Sequence, residues 1–133
     1  MQSISTILSA PAILILARLA VTSFFWISAG ISILNFKSTV QGVANMGLPV
    51  PLVSASAVIA CQIIGSAWIV FDLYGMGWVG AVMLITFTLM TIPVGHPFWK
   101  YNGEKRTEAL HVSLEHITVV GGLVLAAILS GRP

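Results

Sequence analysis

LVSASAVIACQIIGSAWIVFDLYGMGWVGAVMLITFTLMTIPVG (residues 52–95) carries a single charged side chain, Asp72, in two apolar runs parted by the short segment DLYGMG. A membrane-crossing α-helix needs about 20 mostly apolar residues. The runs 52–72 and 77–95 each meet that requirement, and the glycines between them interrupt the helical pattern. The stretch therefore predicts two spanning helices folded back on each other by a tight turn.

Outward from this hairpin, two further apolar runs qualify, roughly 12–34 and 109–130. Before it lies NFKSTVQGVANMGLPVP, with Lys37, Gly42, Gly47, Pro49 and Pro51; after it lies GHPFWKYNGEKRTEALHVSLEH (95–116), which gathers all three histidines. The first reads as a long loop and residues 95–108 as the one hydrated connection of substance, with the mixed-sign run EKRTE as a solvated loop that starts the fourth helix. His111, Glu115 and His116 run on from it into the bilayer. The expected fold is an all-α membrane protein, a four-transmembrane-helix bundle of two hairpins, with residues 1–133 forming one domain.

Composition agrees. Charged residues make up 8% of the chain and the mean hydropathy is +0.99, whereas a soluble domain carries about 25% charged residues. The net charge of +2 is small and not massed on one helix, so nucleic acid is not an expected partner. Cys61, the only cysteine, reads as a small packing residue rather than a redox or zinc ligand. MQSISTILSAP lacks the basic n-region of a signal peptide, so the N-terminus is expected to be retained. Lys37, Lys100, Lys105 and Arg106 fall in the long connections and Arg132 on the other side. The positive-inside rule then puts the long connections in the cytoplasm and the termini outside.

Small residues spaced by four let helices approach closely. Ala57, Cys61 and Gly65 form such a row, with Gly77 and Ala81, and Gly122 and Ala126, as shorter ones. Trp78 and Trp99 lie near the ends of the third span, where interfacial anchors sit. Trp26 and Trp68 are deeper and read as core packing or a pocket wall.

Ionisable groups inside spans are costly and thus candidates for function. Arg18, Glu115 and His116 are the ones here, with Gln62 as an uncharged companion. At ~1.5 Å per residue, Arg18 and Glu115 enter from opposite faces and differ by about 12 Å in depth. Gln62, near the midplane, is placed to bridge them in an Arg18–Gln62–Glu115 line, while snorkelling of Arg18 to the headgroups is the plain alternative. His111 precedes Glu115 by one turn on the same face. His96, His111 and His116 lack a convergent ligand spacing, so neither a metal nor haem is expected.

These segments resemble the DoxX family of small four-helix membrane proteins. ARLAVTSFFWISAGISIL, GLPVP, GHPFWK and the Gly pair of ITVVGGLVLAA follow the family's landmarks in order across nearly the whole chain. Arg18, Gly30, His96, Phe98, Trp99, Gly121 and Gly122 match residue by residue. The resemblance implies a bacterial inner-membrane bundle, in a family linked to quinone-coupled redox assemblies. Departures are Ile33 and Gln62, where many members carry Lys and Glu, and Glu115–His116 in place of Lys–Asn. Together they describe a rearranged polar core.

The quinone or polar-core candidates are thus Arg18, Gln62, His96, Trp99, His111, Glu115 and His116. The helix-packing candidates are Gly30, Ala57, Cys61, Gly65, Gly121 and Gly122. The leading expectation is a quinone-associated or accessory subunit of a membrane redox complex, receiving electrons from other subunits because the chain shows no flavin or iron–sulfur motif. The alternative is a non-enzymatic anchor or assembly subunit, packing against a larger complex or as a homo-oligomer in the lipid bilayer. Whether the chain is an enzyme is left open.

Overall fold

In a computed structural model, residues 3–131 are described; Arg132, used above for orientation, lies outside them. The elements are α1 (Ile4–Leu8), α2 (Pro11–Leu34), α3 (Phe36–Asn45), α4 (Pro51–Phe71), α5 (Gly77–Gly95) and α6 (Gly103–Ile128), with 3₁₀ turns at Leu73–Gly75 and Phe98–Lys100. Among the described residues, four helices are long and apolar enough to cross a membrane: α2, α4, α5 continued through Lys100, and α6. The protein is an all-α membrane bundle.

Pro11 and Pro51 open α2 and α4, at the helical position where a missing N–H costs nothing. α4 stops at Asp72, whose φ of 43° is left-handed; Tyr74 and Gly75 follow at 56° and 67°. This run of positive φ reverses the chain within a few residues. Asp tolerates it because its short polar side chain bonds locally, and the Asp72 carboxylate accepts the N–H of Gly77, at the start of α5, at 2.7 Å.

Two expectations about the connections are corrected. The segment after α2 is not a loop but the helix α3. Phe36, Val40 and Val43 turn inward, with Val43 buried, while Lys37, Ser38, Gln41 and Asn45 are exposed. That pattern gives an amphipathic helix lying across the end of the bundle, packed on α4 and α2. EKRTE is not a loop either: it forms the first turns of α6, which starts at Gly103. Lys37, Lys100, Lys105 and Arg106 all sit at this end.

The helices α4 and α5 form the central pair, α2 packs on α4, and α6 packs on α5. Lipid tails are as apolar as the side chains, so close packing rather than hydrophobic burial holds spanning helices together. At the centre, a Cβ on Gly80 would lie 2.5 Å from the Gly65 carbonyl oxygen and 2.9 Å from Trp68 Cβ. The row on α4 that faces the bundle is Ala55, Ile59, Gln62, Gly65, Ser66 and Ile69. Ala57 is exposed and Cys61 only half-buried, which corrects the Ala57–Cys61–Gly65 row. Gly30 and Gly121 face open space, whereas a Cβ on Gly122 would meet Val21 Cγ2 at 2.7 Å. Phe25, Ile69, Ala81, Leu84 and Leu123 make the fully packed core.

The fourth side of the bundle is different. The first and last spanning helices, α2 and α6, touch only lightly.

Candidate functional site

Polar residues fall into two groups at different ends of the bundle. The first centres on Asp72. Arg18 reaches it at 3.4 Å, both side chains being nearly buried. Asp72 also accepts from the Ser130 hydroxyl at 2.8 Å and the Gly131 N–H at 2.8 Å. Ser130 in turn accepts the N–H of Trp78 at 3.0 Å. Partial burial pushes the Asp72 carboxyl up. The donors Gly131, Ser130 and Gly77 and the Arg18 charge outweigh it, leaving the group below the ordinary carboxylate range. Arg18 is therefore a structural tie from α2 to the α4–α5 turn, and the expected Arg18–Gln62–Glu115 line does not form.

The second group surrounds a cavity of about 670 Å³ in the other half of the bundle. Gln62 of α4, His96 at the end of α5, and Glu115 and His116 of α6 all line it, joined by Ser28, Ser32, Thr88 and Thr91. These residues converge because the two hairpins bring the second half of α2, the first and middle turns of α4, the second half of α5 and the first and middle turns of α6 to the same level. Phe24, Phe25 and Phe87 supply aromatic walls, and Val43, Met46 and Leu48 of α3 and its following turn close the end.

The imidazoles of His96 and His116 stand edge to face with centroids 5.4 Å apart, and Phe24 meets His116 at 6.0 Å. Phe25 meets Phe87 at 6.3 Å. Thr88 and Thr91 spend their hydroxyl protons on the carbonyls of Leu84 and Thr88, each at 2.6 Å. Gln62 is only 4% exposed, yet its Oε1 has no hydrogen-bond partner. A buried polar atom without a partner among the described residues costs about 1–3 kcal/mol, a cost that Gln62 bears at the cavity wall.

Of the remaining sequence candidates, Trp99 is 52% exposed and packs on Phe98 outside the cavity. His111 is exposed on the outer side of α6. Trp26 is largely exposed and donates to the Leu19 carbonyl; neither tryptophan walls the site. The sequence reading missed the three phenylalanines and the α3 cap, because apolar residues on uniformly apolar helices give no periodic signal. Among the described residues, no group of three or more His, Cys, Asp or Glu side chains gathers as a metal site would require.

The arrangement can hold a flat or ring-shaped apolar body between phenylalanines while Gln62 and His116 hydrogen-bond its polar substituents. Such cavities, of about 300–1,000 Å³ with a few placed polar groups, are typical of small-molecule sites. The DoxX family model matches residues 13–97, which cover α2 to α5 and stop after His96. The chain is also similar to the inner membrane protein YphA of Escherichia coli (strain K12), 28% identical over 118 residues, covering 89% of this chain and 83% of that one. No solved structure matches it significantly.

Proposed function

The chain belongs to the DoxX family, and from this premise we propose that it is a multi-pass inner-membrane protein whose cavity binds a quinone headgroup as a quinone-associated or accessory subunit of a membrane redox complex. The observation that carries the reading is a buried glutamine on the wall of an aromatic-lined cavity, Gln62, whose Oε1 has no protein partner among the described residues. An amide suits both redox forms of such a headgroup: its oxygen accepts from a hydroxyl and its NH₂ donates to a carbonyl. His116 offers a second hydrogen bond, and the His96 ring beside it links the cavity to the loop end. The similarity to a protein named as an inner membrane protein supports the location. The four basic residues at the α3 end support a cytoplasmic orientation of that end.

The test is extraction into lipid discs with mass spectrometry of co-purified small molecules, followed by quinone titration of the stripped protein. A bound quinone, displaced from the wild type and absent from Gln62→Leu and His116→Ala, is the expected result. Saturation of both variants with unchanged affinity overturns it.

A second reading, an anchor or assembly subunit, draws on Gly30 and Gly121, which point outward with nothing within 4 Å. Small residues on an outer helix face accept a neighbouring helix. Loss of a co-purifying subunit on Gly121→Leu, with quinone binding intact, would separate this role from the first.

A further inference from the structure

The two helices that do not close against each other, α2 and α6, form one wall of the cavity. They meet at Val21 and Gly122, and next at the Phe24–His116 ring pair. Beyond that pair, toward α3, Ser28 and Val112 line the cavity from the two sides. Phe24 is 53% exposed and Glu115 is exposed as well, although both line the cavity. Where two spanning helices touch only lightly, as α2 and α6 do, cavity-lining residues this exposed mark an opening to lipid. The aqueous end carries α3 and its following turn, where Val43 is buried and Met46, also on the cavity, is 53% exposed.

We propose that the gap between α2 and α6 is a lateral portal, gated by Phe24 against His116, and that the site takes an uncharged headgroup carried on a long apolar chain directly from the bilayer. This rests on the quinone reading and narrows it to membrane-dissolved, long-tailed quinones. A cavity of about 670 Å³ accommodates a drug-sized body; an extended chain leaves through the gap and lies along lipid. Selection against anionic headgroups follows from the lining. Among the described residues it holds no Lys or Arg, Arg18 is engaged by Asp72, and Glu115 adds an acidic group at the rim. Anionic lipid headgroups find no cationic partner there, and a charge inside the membrane is expensive without one.

The access route can be measured without assuming what binds. In vesicles, the Cys61→Ser, Thr91→Cys protein carries one thiol on the cavity wall; Ser28→Cys, on the facing helix, serves if that variant does not fold. A long-chain alkyl methanethiosulfonate dissolved in the lipid should label this thiol. A sulfonated methanethiosulfonate added to the water should react roughly tenfold more slowly or less, a margin that excluding a charge from an apolar path readily supplies. Phe24→Ala should speed the lipid-phase reaction several-fold and leave the aqueous one unchanged. Faster labelling from water, or no response to Phe24→Ala, overturns the portal. A long-chain quinone should protect the thiol and a fatty acid of similar length should not; equal protection by both overturns the charge selection. Lateral labelling without quinone protection leaves the portal standing and removes the quinone reading, so the two fail separately.

Discussion

Arg18 and Asp72, 54 positions apart in the chain, meet at 3.4 Å and bind the first spanning helix to the turn between α4 and α5. Removing one partner of this part-buried pair leaves the other without its charge partner. Asp72→Ala also strips acceptors from Gly77, Ser130 and Gly131, so it should lower the melting temperature in detergent more than Arg18→Ala does. Asp72→Asn, which keeps an oxygen for some of these donors, should fall between Asp72→Ala and wild type. Scanning fluorimetry on the native tryptophans gives the order, and equal melting of Asp72→Ala and wild type would refute it.

The same group sets an acid limit. Its folded pKa lies below the ordinary value, so the folded state holds the proton less tightly than the unfolded chain. The stabilisation is fully present above about pH 4, the unfolded carboxyl range. It is lost as the pH falls through the lower folded value. Wild-type stability should decline in that acid window, and Asp72→Asn should lack this component of the decline.

Glycine contacts make a paired prediction. Gly80→Ala puts a methyl group 2.5 Å from the Gly65 carbonyl oxygen, a backbone atom that moves only with its helix. Overpacking of this kind costs about 1–3 kcal/mol. Gly121→Ala meets nothing within 4 Å and should be neutral or slightly stabilising through helix propensity. If both variants melt alike, the close approach of α4 and α5 is not what holds the centre together.

At Gln62 stability and binding should move in opposite directions. Gln62→Leu removes an unpartnered buried oxygen, so the ligand-free protein should keep or gain stability, by up to about 1–3 kcal/mol. The same change should weaken the bound quinone. A purely structural glutamine would instead lose stability on substitution, which thermal melts with and without added quinone would reveal.

The cap offers a further check. Val43 is buried beneath α3, and Val43→Asp would seat a charge against the cavity wall, lifting the helix. Water-soluble thiol reagents should then reach a cysteine at position 91 faster than in the parent. An unchanged aqueous rate would mean that α3 does not seal that end.

The spans were legible because hydropathy integrates over some 20 residues, and single errors average out; α2, α4 and α5 begin or end within a residue of where the apolar runs do. Two features resisted. The helix α3 was hidden by Gly42 and by Gly47, Pro49 and Pro51 just after it, which read as punctuation although Phe36, Val40 and Val43 keep helical spacing. The partner of Arg18 was hidden for another reason: depth along a helix says which residues share a level, not that a turn residue such as Asp72 folds back to meet it. Gln62, His96, Glu115 and His116 stood out as polar residues in or beside apolar runs, and the cavity brings them together. Phe24, Phe25 and Phe87 could not stand out, since nothing distinguishes a cavity-facing phenylalanine from a lipid-facing one until the helices are placed.

The bonds around Asp72 also impose an order on biogenesis. Its link to Gly77 is available once α5 begins to emerge from the ribosome, and Arg18 is already waiting in α2. Ser130 and Gly131, however, are synthesised only after α6. During translation, then, the first three spanning helices can assemble around a half-satisfied carboxylate while the side that α6 will occupy stays uncovered. Arrival of the last span completes the bond set at one end and walls the cavity at the other in a single event. Any chaperone or partner subunit that recognises the unfinished protein has that interval, and that exposed flank, in which to act.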